Sequence, residues 1–358
     1  MCMWGNLIMN AIGIQLLILV SIVAGILIVI FVTGKRSGDL ITKTNFVLGT
    51  MINLRAYGAN ANNAIEKCIE RLNNIDDKMS VFKENSEISK INSKAGISME
   101  KASKDTYYVI KKAVEYSKIL EGTFDPTIRP LVNLWNIGKG DEKIPGKYQI
   151  EERLKLVNYN DVILDDNNSS IMLKKMKQAL DVGGIAKGFA ADEVRDIFYK
   201  YKIKSALIDL GGNIFALGSK ENGEPWRVGI QNPFEPRGEH IGILNVKNKS
   251  VVTSGNYERY FIKDGKRFHH ILDPRTGYPS QSKIISATII SDNSIDGDGL
   301  STGVYILGVD KAIKIIEGIN GIEAIFITED KKIYTTSGIS DELFTLTNKE
   351  FSITNLNL

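Results

Sequence analysis

SALIDL (205–210), NIFALG (213–218), WRVGIQ (226–231), IGILNV (241–246), SVVTSG (250–255) and YERYFI (257–262) follow one another with only short interruptions. Short runs rich in Val, Ile, Leu and aromatics, bounded by Gly, Asn and Pro, read as strands. Strands that succeed each other without helices between them do not build a doubly wound βαβ array, and they predict an α+β fold. Just beyond, Asp264-Gly265 between YERYFIK and KRFHHIL is a hairpin turn. Toward the C-terminus come IISATIIS (284–291), a helical pattern around Val304–Ile319, and IEAIFITED followed by KKIYTT. Toward the N-terminus the periodicity predicts a helix over Ile185–Tyr201, a hairpin over Asp161–Lys174 and a helix over Ala102–Leu120, stopped by Gly122. Ala61–Met79 carries Ile65, Ile69, Leu72 and Ile75 on one helical stripe, and Phe46–Tyr57 reads as a strand. No repeat of 20–50 residues is present. One short echo links LDVGGI (180–185) and IDLGGN (208–213).

Composition narrows the function classes. The 358 residues carry 45 Lys+Arg against 42 Asp+Glu, a formal charge of +3 with no long basic run, so nothing favours nucleic acid as a partner. Two cysteines cannot make a disulfide framework, and no Cys/His spacing suits zinc. A metal or cofactor site must therefore use carboxylates, hydroxyls, backbone carbonyls and the three histidines. Ile12 to Val32 is an apolar run interrupted only by Gln15 and Ser21 among polar residues. At about 1.5 Å per residue it spans roughly 31 Å, enough for a bilayer core. The run is longer than a signal-peptide core and no small-residue cleavage pattern follows it, which favours an uncleaved transmembrane helix. Residues 1–38 thus read as a membrane anchor with a short linker, and 39–358 as one globular domain. Lys35 and Arg36 follow the span and no basic residue precedes it, so the charge rule by itself would leave the domain in the cytoplasm.

Three stretches could carry chemistry. In DGDGLSTGVYILG (296–308), a helix starting near Asp298 puts Asp298 and Thr302 on one face. A carboxylate and a hydroxyl so placed suit Mg²⁺ or Ca²⁺; the bland alternative is that Asp298 caps the helix. The spacing and final Glu of an EF-hand are missing. In LDVGGIAKGFAADEV (180–194), Gly183, Gly184 and Gly188 permit close backbone approach to a phosphate at a helix start, and Lys187 adds a point charge. The glycine spacing is neither a P-loop nor a dinucleotide fingerprint. In TSGNYERYFIKDGKRFHHILDPRTGYP (253–279), strand alternation sends His269 and His270 to opposite faces, so at most one points into a given site, where the alternatives are a structural histidine and a general base.

TFDPTIRPLVNLW (123–135), LDVGGIAKGFAAD (180–192), TSGNYERYF (253–261), HILDPRTGYP (270–279) and DGLSTGVYILG (298–308), in this order, closely resemble the FAD:protein FMN transferase family, also called ApbE, over residues 45–345. The resemblance implies an α+β fold with a mixed, mostly antiparallel sheet core flanked by helices. It also implies a Mg²⁺-dependent enzyme that moves FMN from FAD onto a Thr or Ser hydroxyl of an acceptor protein and releases AMP. Carried over by motif, Leu48, Phe82, Thr123, Phe124, Asp125, Asp181, Lys187 and Leu272 would contact FAD. The Gly184 carbonyl, Asp298, Ser301 and Thr302 would hold the metal, and His270 would be the base. Leu48 stands where the family has a Met, and Phe82 where it has a Tyr, so Phe82 can stack on a flavin but cannot donate to it. Gly297, Gly299 and Gly303 replace the usual alanines, a change expected to loosen the helix start by about 1 kcal/mol per Gly. The family's acceptors include subunits of sodium-translocating NADH:quinone reductases and Rnf-type complexes, flavinylated outside the cytoplasm. The resemblance therefore places the domain outward, against the charge rule. The same residues using water would make an FAD pyrophosphatase, and without chemistry they would make an FAD-storage protein.

Overall fold

A computed structural model describes residues 39–140 and 143–354. The apolar run 12–32 lies outside the described residues; among those described, no helix is long and apolar enough to cross a membrane.

The predicted strand at 46–57 is two strands. β1 (Leu40–Val47) and β2 (Thr50–Tyr57) pair antiparallel, Val47 opposite Thr50, across a turn at Leu48 (φ 55°) and Gly49 (φ 70°). A Leu in the left-handed region is uncommon, so the turn carries no ordinary Asn-Gly signal. Helix α1 (Ala61–Met79) follows, burying Ala61, Ala64, Ile65, Cys68, Leu72, Ile75 and Met79 along one stripe, with Ile69 at its margin. The chain then passes through α2 (Glu87–Ser93), β3 (Glu100–Lys101), α3 (Lys104–Ile119), α4 (Arg129–Trp135) and α5 (Lys147–Leu154). The expected hairpin at 161–174 is β4 (Val162–Asp165) against β5 (Ser170–Leu173).

Helix α6 (Ala186–Lys200) leads into the strand-rich stretch: β6 (Ser205–Leu210), β7 (Asn213–Gly218), β8 (Trp226–Gln231), β9 (His240–Val246), β10 (Lys249–Gly255), β11 (Tyr260–Lys263) and β12 (Lys266–His269). β13 (Ile284–Ser291), α7 (Ser294–Leu307), α8 (Val309–Glu317), β14 (Glu323–Thr328), β15 (Lys332–Thr335), β16 (Phe344–Leu346) and β17 (Ser352–Ile353) complete it. Nine strands form the main sheet in the order β1-β2-β6-β7-β10-β13-β14-β15-β17, every pair antiparallel except β15–β17. One face packs against the helices through Ile208, Leu210, Phe215, Ala287, Ile289 and Phe326. The other face meets the small sheet β16-β9-β8 through Ala216, Val251, Ile290, Ile325 and Ile327. Strand alternation supplies both faces. β13, IISATIIS, is buried along its whole length because it is covered on both sides. The α+β architecture with a mixed, mostly antiparallel sheet is the one expected.

Two helical expectations are corrected. The pattern at 304–319 is two helices, broken at Gly308, whose φ of 84° and ψ of 161° end one and start the next. The first of them, α7, begins at Ser294, so Asp298 lies in its second turn and does not cap it. The glycines do not loosen its start either. A Cβ at Gly299 would stand 2.5 Å from the Tyr116 ring, and one at Gly303 would stand 2.5 Å from Leu120 Cδ1. Both positions are thus filled by α3, and the missing methyls are what let the two helices approach. Gly299→Ala is expected to destabilise the protein by about 1–3 kcal/mol through overpacking against a buried ring, despite the better helix propensity of Ala. A denaturant midpoint equal to or above that of the wild type would refute this.

Candidate active site

The glycine loop is held at both ends before α6 begins. Asn92 bonds both backbone groups of Leu180, Oδ1 accepting from its N–H at 2.6 Å and Nδ2 donating to its carbonyl at 3.0 Å. The Asp181 N–H donates to the Pro126 carbonyl at 2.7 Å. Asp181 Oδ1 accepts from the Gly183 N–H at 2.9 Å, and Oδ2 accepts from Arg129 Nη1 at 3.0 Å. The same guanidinium lies 4.8 Å from the centre of the Phe82 ring, and Lys139 Nζ lies 4.5 Å from it. Phe82 is 70 % exposed, so this cation-flanked ring is open to a ligand.

Helices α6 and α7 meet at Gly188. A Cβ there would come within 2.7 Å of both Asp298 Cβ and Ile295 Cα, so only glycine permits the crossing. The crossing is reciprocal. Asp298 Oδ2 accepts from the Gly188 N–H at 2.9 Å, in the first turn of α6. Asp192, on α6, accepts from the first two N–H groups of α7, those of Ser294 at 2.8 Å and Ile295 at 2.9 Å. Each helix supplies the carboxylate that satisfies the other's free donors. Burial pushes the Asp192 carboxyl up to about 6, against the pull of these N–H groups and Arg195.

Lys187 Nζ donates to the Gly183 carbonyl at 3.0 Å and lies 3.6 Å from Asp298 Oδ1. One turn along α7, Ser254 Oγ at the end of β10 lies 2.9 Å from Ser301 Oγ and 3.2 Å from Thr302 Oγ1. Asp298, Ser301 and Thr302 thus share this end of α7 with Lys187 and the glycine loop. Among the described residues no group of three or more His, Cys, Asp or Glu could hold a metal ion. A cation here would need one carboxylate with hydroxyls and a backbone carbonyl. That donor set suits a hard ion, and the ammonium between two such oxygens already marks a cationic position.

The histidines divide as alternation requires. His269 is buried, its Nε2 3.0 Å from the Ser280 carbonyl and its ring edge-on to Tyr305, and it borders a separate cavity of about 1360 Å³. His270 lies on the Lys187 side, its Nδ1 3.2 Å from the Arg259 carbonyl. His270 is only partly shielded from solvent, and that desolvation, with the Arg259 and Lys187 charges adding to it, lowers its pKa. It is therefore neutral at physiological pH, as a base must be.

The remaining predicted contacts are set more deeply. Thr123 is fully buried, its hydroxyl donating to the Leu120 and Gly303 carbonyls, which pins this loop to α7. The Phe124 ring lies 3.1 Å from where a Gly184 Cβ would be. Asp125 Oδ1 accepts from the Thr127 N–H and hydroxyl, and Oδ2 from the Tyr159 N–H. Leu272 packs with Leu131 and Trp135, and Leu48 is half-buried at its turn. These residues shape the walls; Asp181, Lys187, Asp298, Thr302, Phe82 and His270 offer side chains. Arg129, Ser254 and Asp192 were assigned no role from sequence, although each stands inside a quoted motif.

The sequence profile of the ApbE family matches residues 48–326, which takes in every group just described. The chain belongs to the ApbE family. Its relatives include an FAD:protein FMN transferase of Klebsiella pneumoniae (strain 342), 38 % identical over 81 % of this chain and 90 % of that protein. Another, from Treponema pallidum (strain Nichols), is 32 % identical over 84 % of this chain and 88 % of that one. Among solved structures, the ApbE protein of Thermotoga maritima superposes with a TM-score of 0.76 at 33 % identity, covering 84 % of this chain and 97 % of that one. The flavin transferase ApbE of Vibrio cholerae gives 0.75 at 27 % identity, with the same coverage of both chains. The profile spans both site helices and the central strands of the main sheet, and the named relatives are transferases, so this ApbE family member is an enzyme of the transferase class.

Proposed function

We propose that this chain transfers FMN from FAD to a Thr or Ser hydroxyl of an acceptor protein, with Mg²⁺, and releases AMP. The observation that carries the reading is the meeting of α6 and α7, which sets Asp298, Lys187 and the hydroxyls of Ser301 and Thr302 beside the Asp181 loop. Asp298, Thr302 and the Gly184 carbonyl would hold the metal, with Ser301 beside them. When bound, it would neutralise the FAD phosphates and so lower the repulsion felt by an incoming hydroxyl. Lys187 adds a positive charge from the start of α6, where it would face the same anions. Phe82, Arg129 and Asp181 orient the flavin side. His270 takes the hydroxyl proton as the new P–O bond forms and the bond to the AMP oxygen breaks.

By the family resemblance, its acceptors are subunits of membrane electron-transfer complexes, of the sodium-translocating NADH:quinone reductase or Rnf type. In this reading the segment 12–32 anchors the enzyme beside them, with the catalytic domain outside the cytoplasm. The test is to incubate the protein with FAD, Mg²⁺ and a candidate acceptor and weigh the products by mass spectrometry. A flavinylated acceptor peptide plus AMP supports the reading. Free FMN plus AMP would mean hydrolysis instead, and unchanged FAD would mean storage. Protease added to intact cells should digest the domain; complete protection until lysis would overturn the outward placement.

A further inference from the structure

Asp298 is 4 % exposed, and a backbone N–H and an ammonium share its charge. Oδ2 is committed to the first turn of α6, through the Gly188 N–H. Oδ1 faces the Lys187 ammonium, which also takes a glycine-loop carbonyl. Ammonium and divalent cation want the same partners: one carboxylate oxygen and one or more neutral oxygens. They cannot share Oδ1, because two cations within contact distance repel strongly in a partly desolvated site. Yet a carboxylate this buried is costly without a counter-charge.

We propose that Lys187 is an exchangeable counter-ion, occupying Asp298 Oδ1 while the cation position is empty and yielding it when a divalent cation enters. This rests on the reading of Asp298 as a cation ligand given above. The displaced ammonium is then free to meet an anionic phosphate, so the same lysine serves in turn the protein's own carboxylate and the nucleotide. The exchange keeps the carboxylate paired in both states, and it makes the site selective for a cation that arrives together with phosphate.

The exchange predicts a gain of affinity on removing a positively charged side chain. Titrated calorimetrically with Mn²⁺ alone, the full-length Lys187→Met protein should bind about five- to tenfold more tightly than wild type. Lys139→Met removes the same charge beside Phe82, where it touches no candidate ligand, and should shift affinity less than twofold. Adding ADP should tighten Mn²⁺ binding more in the wild type than in Lys187→Met, since only the wild type has an ammonium to release. If the Met variant does not fold, Lys187→Gln carries the same measurement. Equal or weaker Mn²⁺ binding by the Lys187 variants, or an equal gain in Lys139→Met, overturns the exchange. Asp298→Asn separates the two ideas: it should abolish Mn²⁺ binding. Should it do so while the Lys187 variants bind like the wild type, only the exchange fails; should it bind Mn²⁺ normally, the cation site itself was misplaced.

Discussion

Asp298→Asn is expected to lower FMN transfer by at least about 10³-fold while leaving the protein folded. A single preorganised electrostatic group is worth about 10²–10³ in rate, and loss of a cation would add to that. Asn keeps an amide oxygen that can accept the Gly188 N–H, so the helix junction survives. Asp298→Ala removes that acceptor too and should cost a further 1–2 kcal/mol or about that, the usual scale of a lost cap. The two variants should therefore be equally inactive and differ in thermal stability. Flavin fluorescence on the acceptor band reads the first quantity and a melting curve the second. Transfer by Asp298→Asn within tenfold of wild type would sink the role.

His270→Ala should retain FAD binding and lose transfer by about 10²–10⁴-fold, the range for a positioned general base. His269→Ala should transfer normally but be less stable, because it deletes a buried ring bonded to the Ser280 carbonyl. Equal rate losses from the two would refute the assignment. Because the His270 pKa is depressed, its base form persists well below pH 6.5, and the rate should not fall across the pH range where a free imidazole titrates. Stability behaves oppositely. Both histidines are held below their ordinary value, so the unfolded chain binds more protons as pH falls through about 6.5, and the folded state loses ground there. His270→Ala should reduce that acid loss, which denaturant midpoints at pH 5 and 7.5 would show.

The parts of the fold legible in the sequence are those where one local signal dominates. The 3.6-residue stripe of α1, the Asp264-Gly265 turn and the short isoleucine-rich run of β13 each specify their element without help from distant residues. What escaped depends on partners far along the chain. Leu48 accepts a left-handed backbone although nothing local asks for a turn, so two strands read as one. The segment from Ser294 resembles a loop because Asp296, Gly297, Asp298 and Gly299 are poor helix interior residues. It is helical because Asp192 caps it from α6 and α3 fills the glycine gaps. The site divides in the same way. Spacing sets Asp298 and Thr302 on one face and alternation parts His269 from His270, whereas the metal role of Asp298 and the choice of His270 come from the family resemblance. Ser254, Arg129 and Asp192 act through residues 47 to 103 positions away, a separation no motif displays.

The mutual capping of α6 and α7 also constrains how such a site can vary. Because Asp298 closes one helix and Asp192 the other, neither helix can slide along its axis alone. A shift of one residue, about 1.5 Å, would pull both carboxylates off their amides together. The junction works as a two-ended latch that sets the register between the glycine loop and the Asp298–Thr302 row. An insertion or deletion inside either helix would therefore be felt at both ends, whereas length changes in the turns that join the outer strands leave the latch untouched.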